Sequence, residues 1–252
     1  MADEYVPLAS LSLTHVHYNP EDPISYISAF LALVPQALII VYVSLAWATR
    51  EIEIIYMFAG QLLCEILNFG LKRLIKQERP DQMNGKGYGM PSSHSQFMGY
   101  FAVFFTLFLL FRHSPSSSIF AGYLSVLERV GVATLACAGA VMVAVSRIYL
   151  NYHTPEQVLA GSVIGMIYGF VWFEIGTYLR QSGWLGWVLD LELLRYFRIR
   201  DLLPREDLTE SGWQRWEALR KSSPQSKPIG KNGPRDLSVK SGNVRSKKQH
   251  IK

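Results

Sequence analysis

The 252-residue chain is predicted to be an all-α protein, a polytopic transmembrane helical bundle of about five spans. Hydrophobic residues make up 49% of the chain, and most of them fall between about residues 25 and 190. They form runs long enough to cross a hydrocarbon layer of about 30 Å. Three polar clusters, each at the end of such a run, supply cations, hydroxyls and imidazoles. Ionisable groups at a membrane boundary are costly, so these clusters mark a functional site.

The N-terminal lead, residues 1–24, is polar and contains prolines, and it is predicted to be irregular or a surface segment. It lacks a basic stretch followed by an apolar one, so no cleavable signal peptide is expected. The first span must then act as its own insertion signal. That span is predicted as one helix from about Tyr26 to Ala48, with a kink at Pro35 that membrane helices tolerate.

The second apolar run, residues 52–75, carries a polar residue at every third or fourth position along part of its length: Gln61, Glu65, Asn68 and Lys72. These spacings place all four on one helical face. Polar side chains within a span are expected to face the bundle interior, so this run is predicted to be the second span. Arg79 lies about two helical turns beyond Lys72 and would extend the stripe if the helix continued that far.

Three further spans are predicted after a loop rich in Gly and Pro at residues 77–93, at about Ser95–Phe111, Val126–Ile148 and Val158–Leu179. The fifth span carries small residues at a spacing of four: Gly161, Gly165 and Gly169. Such a stripe allows two helices to approach closely. Packing inside the same bundle is the favoured interpretation, and a dimer interface is the alternative.

The segment that follows, residues 183–220, is predicted to lie at the membrane interface. Residues 183–199 mix Trp, Leu and charged side chains and are expected to form one amphipathic helix, with Trp184 and Trp187 at headgroup level. Residues 221–252 form a basic tail rich in Ser, Lys, Gly and Pro, and this composition is typical of disorder.

The net charge of +5 is unevenly distributed. From Arg195 to Lys252 there are 15 Lys and Arg against 6 Asp and Glu, a local charge of +9, and the remainder of the chain carries −4. A basic segment after a membrane span indicates a cytosolic face or an anionic lipid surface rather than a nucleic acid. Five spans place the two termini on opposite sides. The tail is therefore expected in the cytosol, and the three polar clusters on the other face of the membrane.

Two of the polar clusters carry groups suited to binding a phosphate. In the first, Lys72 is followed after six residues by Arg79 and Pro80, and the arginine fork matches phosphate oxygens. The second cluster begins the third span, where hydroxyls can cap the helix and the first-turn N–H groups attract anions. It consists of Pro91, Ser92, Ser93 and His94.

The third cluster adds a cation and a second imidazole. Arg147 ends the fourth span, and His153 follows six residues later. Thr154, Pro155 and Gln157 have the spacing of a capping box for the fifth span, which places His153 just outside a helix start. Together the three clusters hold the equipment to bind a phosphate and transfer it through histidine.

In order and spacing, the three clusters resemble the signature of the type 2 phosphatidic acid phosphatase superfamily, and the resemblance covers about residues 10–200. Two longer stretches, Gly87–Met98 and Arg147–His153, resemble more narrowly the dolichyl-diphosphatase group within it. The resemblance implies a transmembrane phosphatase domain at residues 25–182, with the active site at one membrane face. It also implies residence in the endoplasmic reticulum membrane, where the cytosolic basic tail would place the active site on the lumenal side.

The resemblance further implies roles for single residues. His153 would be the nucleophile that forms a phosphohistidine, and His94 the acid that protonates the leaving group. The phosphate would be held by Lys72, Arg79, Ser92, Ser93 and Arg147, with Ser93 in the place of a glycine common in the wider superfamily. No cofactor is implied. No metal is expected either, because the chain shows no convincing ligand spacing, and Cys64 and Cys137 are expected to be packing residues.

One position departs from the superfamily pattern. An Asp that orients the nucleophilic imidazole is usual four residues after the nucleophile, and here that position is Gln157. An amide accepts an imidazole N–H but does not stabilise imidazolium as a carboxylate does. The dolichyl-diphosphatase-like members are similar in carrying Gln, so Gln157 is interpreted as a mark of that group, with helix capping as its other role.

The implied reaction is hydrolysis of dolichyl diphosphate, a polyprenyl lipid, to dolichyl phosphate and phosphate, in support of dolichol recycling for protein N-glycosylation. One alternative is a phosphatidate or sphingoid-phosphate phosphatase of the same superfamily. Another is a membrane transporter or scaffold with buried charges. A transporter would carry polar residues near the middle of several spans, whereas here they are confined mainly to the second run. The sequence indicates neither a protein partner nor an oligomeric state.

Overall fold

The structure, a computed structural model, describes residues 9–11, 16–80, 87–113, 121–205 and 208–222. Two short antiparallel strands come first, β1 (Ala9–Leu11) and β2 (Val16–Tyr18). The helices that follow are α1 (Pro23–Leu31), α2 (Val34–Thr49), α3 (Ile52–Ile75), α4 (Ser93–Leu107) with a π-helical segment (Phe108–Arg112), α5 (Ala121–Tyr149), α6 (Pro155–Gln181), α7 (Trp184–Leu189), α8 (Glu192–Tyr196) and α9 (Leu208–Ser222).

Five stretches of the described helices are long and apolar enough to cross a membrane: Pro23–Thr49, Ile52–Ile75, Ser93–Arg112, Val126–Tyr149 and Pro155–Gln181. The predicted all-α bundle of about five spans is therefore confirmed. The second run is a continuous helix over its whole predicted length, although its polar stripe makes it less hydrophobic than the first run.

The first span differs from the single kinked helix that its sequence predicts. It consists of α1 and α2, which are separated at Ala32 and Leu33, and Pro35 lies in the first turn of α2. Proline is favoured there because the missing N–H has no intrahelical acceptor in a first turn. The break leaves the carbonyl group of Ala32 available to side chains, whereas that of Leu33 still accepts the backbone N–H of Ala37 at 3.0 Å.

Helix α4 lies at the centre of the bundle and packs most extensively against α6. A Cβ atom added at Gly165 would lie 2.1 Å from the carbonyl O of Gln96, and one at Gly161 would lie 2.6 Å from that of Ser92. Both helix backbones therefore approach more closely than any side chain would permit. The prediction that this stripe packs inside the bundle is confirmed.

An aromatic core fills the space between α2, α3, α4 and α6. Its buried members are Tyr42, Met57, Cys64, Tyr100, Phe104, Phe108 and Phe173. Cys64 is thus a packing residue, as predicted, whereas Cys137 is exposed on α5. Exposed Leu, Ile, Val and Phe side chains cover the outer faces of the same helices, and such an apolar surface suits contact with lipid.

Buried ion pairs join the helices at the end of the bundle where α3 begins and α4 and α6 finish. Glu53 of α3 accepts hydrogen bonds from Arg112 and from Arg180, and Arg180 also binds Asp201 beyond α8. Glu51, fully buried, pairs with Arg200 and accepts from the backbone N–H groups of residues 202 and 203. These contacts attach the segment after α8 to the base of α3.

Both ends of the described chain differ from the sequence predictions. The prediction of an irregular N-terminal lead is wrong, because the lead contains the β1–β2 pair, and β2 packs on residues 150 and 152. The single helix over 183–199 is also wrong. Leu191 adopts an extended conformation that separates α7 from α8. The predicted tail lies outside the described residues from 223 onward, and residues 81–86 of the predicted loop do as well.

The chain divides into two compact units, Met1–Leu208 and Thr209–Lys252. The first contains all five spans and the site described below. In the second, the described part is α9, where Trp213 and Trp216 are in ring contact, 4.8 Å apart, and Glu217 pairs with Lys221 one turn later.

Candidate active site

The three polar clusters meet at one end of the bundle. Lys72 lies in the last turn of α3, His94 in the first turn of α4 and Arg147 in the last turn of α5, and His153 precedes α6. The backbone N–H of Ser92 donates to the carbonyl O of Gln157 at 3.1 Å, which joins the second cluster to the third. Arg79 does not extend the helical stripe, because α3 ends at Ile75 and residue 76 is left-handed.

His153 is held by the side chain of Gln157. Nδ1 of His153 lies 3.2 Å from Oε1 of Gln157, and Nε2 of Gln157 donates to the carbonyl O of Glu78 at 2.8 Å. The contact with Glu78 fixes the amide so that its oxygen faces the ring. Because Nδ1 must then carry the hydrogen, Nε2 of His153 keeps the lone pair that a nucleophile needs.

Gln157 is also the capping residue that the sequence predicts. Its backbone N–H donates to Oγ1 of Thr154 at 3.3 Å, and its Oε1 accepts the backbone N–H of Thr154 at 3.3 Å, so the capping box is complete. Gly89 covers the amide on its other side, where an added Cβ would lie 2.6 Å from Oε1. One side chain therefore starts α6 and orients the imidazole that precedes it.

The electrostatic surroundings of His153 favour its neutral form. The residue is only 3% exposed. Burial, with the positive charges of Arg79, Arg147 and Lys72, lowers the pKa of His153 to about 3, although its hydrogen bond to Gln157 acts in the opposite direction. The ring is therefore uncharged at neutral pH. The same three cations would attract a phosphate towards it.

Arg147 is buried and has donors to spare. Among the residues that the structure describes, Nε and Nη1 of Arg147 have no hydrogen-bond partner. The guanidinium lies 4.3 Å from the ring centre of Tyr152, whose hydroxyl accepts the backbone N–H of His17 at 2.9 Å. Buried unpaired donors are costly, and a bound phosphate would satisfy them. Strand β2 therefore supports Tyr152, whose ring packs against the guanidinium of Arg147.

His94 is positioned by the break in the first span. Its Nε2 donates to the carbonyl O of Ala32 at 3.1 Å, so Nδ1 carries a proton for acid catalysis when the ring is an imidazolium. The amide nitrogen of Gln36, oriented to donate, lies 2.9 Å from the same carbonyl and 3.1 Å from that of Leu33. A continuous first helix would have used the Ala32 carbonyl within its own backbone ladder.

The serines of the second cluster do not cap α4 through their side chains. Ser92 is the N-cap by position, but it makes no side-chain capping bond, and its Oγ instead accepts from Oγ of Ser95 at 3.1 Å. The prediction of a side-chain cap is wrong. A helix start without such a cap keeps its first N–H groups available to an anion.

The polar stripe of α3 supports the site from behind. Asn68 donates to the carbonyl O of Pro91 at 3.3 Å and to Oε1 of Gln96 at 2.8 Å, and Gln96 in turn donates to the carbonyl O of Cys64. Gln61 donates to the carbonyl O of Phe97 at 3.3 Å. Asn68 and Gln61 are buried, so this stripe faces the bundle, as predicted, and fixes the start of α4.

Three supporting features were not predicted from the sequence. The carbonyl of Ala32 carries no side-chain signal, and its role depends on a helix break that hydropathy does not show. Gly89 is one of several loop glycines, and only its approach to Gln157 distinguishes it. Tyr152 lies inside the third cluster, but its contact with the N-terminal strand joins residues 135 positions apart.

Among the described residues, no group of three His, Cys, Asp or Glu is arranged to hold a metal ion. The cationic side chains around His153 are those that would neutralise a phosphate instead. Freedom from metal therefore stays a prediction, and an assay in the presence of a chelator tests it.

Comparison with known proteins agrees with this arrangement. The model of the PAP2 superfamily matches residues 53–181. The Neurospora crassa chain named "Putative dolichyldiphosphatase" is 46% identical, over 87% of this chain and 95% of the relative. Dolichyldiphosphatase 1 of Dictyostelium discoideum is 37% identical, over 81% and 87%, and dolichyldiphosphatase of Saccharomyces cerevisiae is 32% identical, over 80% and 87%.

A solved structure shares the fold. The crystal structure of a transmembrane PAP2 type phosphatidylglycerolphosphate phosphatase from Bacillus subtilis aligns with a TM-score of 0.50 and 20% identity, over 61% of this chain and 77% of that one. The chain belongs to the PAP2 superfamily. The predicted resemblance and the predicted phosphatase class are confirmed, and the alternative of a transporter or scaffold is not supported.

Proposed function

We propose that the protein hydrolyses dolichyl diphosphate to dolichyl phosphate and inorganic phosphate, through a phosphohistidine at His153. The observation that carries this proposal is the His153–Gln157 pair, which leaves Nε2 unprotonated within the field of three cations. The choice of lipid is supported by relatives that are named as dolichyldiphosphatases and align over most of their length.

In the first step, Nε2 of His153 attacks the terminal phosphorus, and the bond from that phosphorus to the bridging oxygen breaks. The leaving dolichyl phosphate takes the Nδ1 proton of the His94 imidazolium, and the ring becomes neutral with its Nε2–H still bonded to the carbonyl O of Ala32. Lys72, Arg79 and Arg147, with the first-turn N–H groups of α4 after Ser92, hold the oxygens of the transferred phosphoryl group. Ser93 lies at the same helix start.

In the second step, a water molecule attacks the phosphorus of the phosphohistidine. The neutral His94 left by the first step accepts a proton from this water and becomes an imidazolium again. The bond from phosphorus to Nε2 breaks, and phosphate leaves. The ring of His153 carries positive charge while it is phosphorylated, and Oε1 of Gln157 accepts its Nδ1–H throughout. His94 therefore serves as the acid in the first step and as the base in the second.

We also infer the cellular setting. The helices make this a multi-pass membrane protein, and residence in the endoplasmic reticulum fits relatives with this activity. The basic composition after residue 194 favours the cytosol, and residues 200–203 lie at the end of the bundle opposite the site. The catalytic domain comprises residues 25–182, followed by an interfacial segment to residue 220 and a cytosolic tail. A lumenal site would recycle the dolichol carrier used in protein N-glycosylation.

A substrate panel tests the proposal. Purified protein is assayed against dolichyl diphosphate, dolichyl phosphate and phosphatidate side by side in detergent, each with and without excess EDTA. We expect the highest kcat/KM with the diphosphate and no loss with the chelator. A higher kcat/KM with phosphatidate would reject the proposed lipid, and loss of activity restored specifically by Mg²⁺ or Mn²⁺ would reject the metal-independent mechanism.

A further inference from the structure

A cavity of about 210 Å³ adjoins the proposed acid. It lies between α2, α3 and α4, and its wall includes Gln36 and Ile39 of α2, Glu65 of α3 and His94 of α4. At about 30 Å³ for each water in the liquid, this is the volume of roughly seven waters. The cavity is therefore large enough for a phosphate group and the first carbons of a lipid chain.

The position of His94 decides which part of the substrate occupies the cavity. An acid must lie within hydrogen-bond distance of the atom that it protonates. In the proposed reaction that atom is the bridging oxygen, which belongs to the leaving group. The leaving group of a lipid diphosphate begins with its second phosphate, here called the α-phosphate, and continues as the polyprenyl chain. Because His94 lines the cavity, the α-phosphate of a bound diphosphate would lie in it.

Glu65 is the acidic side chain in this wall. Among the described residues, no hydrogen bond or ion pair engages its carboxyl group, and its electrostatic partner is Lys72, about two turns further along α3. An ionised carboxylate without a hydrogen-bond partner in a mostly apolar cavity is costly, and such a group takes up a proton instead. A protonated carboxyl group donates one hydrogen bond.

The side-chain amide of Gln36, also in the wall, is already engaged. Its nitrogen donates to the carbonyl groups of Ala32 and Leu33 at the break in the first span, and the Ala32 carbonyl is also the acceptor for His94. It is therefore not available to a ligand without loss of those bonds. Ser93 also lines the wall, but it stands at the helix start assigned above to the transferred phosphoryl group. Glu65 is therefore the wall residue whose donor can turn towards the leaving group.

We propose that Glu65, in its protonated form, donates a hydrogen bond to the α-phosphate and so makes the enzyme select lipid diphosphates over lipid monophosphates. This inference rests on the proposed function. With a monophosphate substrate, the cavity receives the carbon chain alone, and the carboxyl group stays without a partner. A site built to bind a polar group rejects a substrate that lacks it, because the buried donor is then unpaired.

The test compares two substrates of equal chain length, a polyprenyl diphosphate and a polyprenyl monophosphate. The quantity measured is the ratio of their kcat/KM values on the same preparation. If the monophosphate is turned over too slowly to measure, its inhibition constant takes the place of its kcat/KM. Glu65→Ala should lower the ratio by about 10-fold or more, the usual effect of losing a hydrogen bond to a charged group. Glu65→Gln, which keeps a donor, should hold the ratio within about 3-fold of the wild-type value.

Ile39→Ala is the matched control, because Ile39 lines the same cavity and has no donor. It should lower kcat/KM for both lipids and preserve the ratio. A ratio unchanged in Glu65→Ala, in an enzyme whose wild type prefers the diphosphate, overturns the inference and leaves the proposed function intact. A Gln variant as defective as the Ala variant also overturns it and would indicate an ionised Glu65 that acts on Lys72. A wild type without preference for the diphosphate rejects the proposed function itself.

Discussion

Gln157 and His153 are joined by a hydrogen bond of 3.2 Å that fixes one tautomer of the imidazole. The sequence offered two roles for Gln157, a helix cap and an orienting group, and the structure combines them. The oxygen of the amide accepts both the ring Nδ1–H and the backbone N–H of Thr154, and its nitrogen is held by the carbonyl of Glu78. The nucleophile is thereby attached to the helix start that follows it.

The first prediction concerns the charge at Gln157. Gln157→Glu keeps an acceptor for both hydrogens but adds a negative charge, which raises the pKa of His153 above its value of about 3. Since the neutral ring is the nucleophile, the acid limb of the pH profile of kcat/KM should move to higher pH. Gln157→Leu, which removes the acceptor, should lower kcat by about 100-fold or more. Profiles identical to wild type in both variants would leave Gln157 with the capping role alone.

The second prediction concerns the acid. His94→Ala should reduce kcat/KM more for a polyprenyl monophosphate than for the diphosphate, because an alkoxide is a far stronger base than a phosphate oxygen and depends more on protonation. The loss on the monophosphate should reach about 10²- to 10⁴-fold. His153→Ala should remove turnover of both lipids and any acid-labile phosphoenzyme in radiolabelled protein. An equal fall in kcat/KM for both substrates in His94→Ala would contradict the role of His94 as acid.

The third prediction concerns Gly89. A Cβ at Gly89 would lie 2.6 Å from Oε1 and 2.7 Å from Nε2 of Gln157, so Gly89→Ala must displace the amide that orients the nucleophile. We expect kcat to fall by about 10- to 100-fold, the scale of a small misplacement in an active site. Gly70→Ala is the control, because nothing lies within 4 Å of its added Cβ, and it should retain activity. Normal turnover in Gly89→Ala would show that the amide has room to move.

The fourth prediction concerns the contact between α4 and α6. Gly165→Ala places a methyl group 2.1 Å from the carbonyl O of Gln96, where two backbones meet and neither is a flexible side chain. The cost should be about 1–3 kcal/mol or more, as for overpacked cores, and thermal unfolding in detergent should begin at a lower temperature. Gly139→Ala on α5 meets no atom within 4 Å and should leave the unfolding temperature unchanged. Equal unfolding temperatures for the two variants would refute the tight contact.

The fifth prediction concerns sidedness. Five spans with a cytosolic tail place the N-terminus in the lumen with the active site. Protease added to sealed microsomes should therefore remove a C-terminal tag and spare an N-terminal one. Loss of both tags from vesicles verified as sealed would reject the five-span topology, and protection of the C-terminal tag would reject the proposed orientation of the active site.

The spans could be predicted from the sequence because hydrophobic length and polar spacing are local properties. The helix Ile52–Ile75 agrees with the predicted run of about residues 52–75, and the stripe from Gln61 to Lys72 has a helical period. The capping box at Thr154 was also predicted, because its donors and acceptors lie within four residues of each other. The break at Ala32 was not, because a proline two or three residues later is compatible with either a kink or a helix start.

The supporting contacts of the site could not be predicted, because they join distant parts of the chain. His94 depends on a backbone carbonyl 62 positions away, and Tyr152 accepts its hydrogen bond from residue 17. Backbone groups occur at every position, so composition does not reveal which one is used. Ser92 shows the opposite error, since its residue type suggests a cap, whereas its hydroxyl accepts from Ser95 instead.

The ion pairs around Glu53 lie at the opposite end of the bundle from His153, and at that end the helices are joined through charge. Glu53 fastens α3 to Arg112 after α4 and to Arg180 at the end of α6, and breaking a buried pair of this kind costs about 3–5 kcal/mol. At the site end, α4 and α6 are held together differently, by close backbone contact between Gly161 and Ser92 and by the hydrogen bond from the N–H of Ser92 to the carbonyl O of Gln157. The charges around the phosphate are therefore not the contacts that hold these two helices together, so a change of charge at the site leaves the support of the two histidines in place.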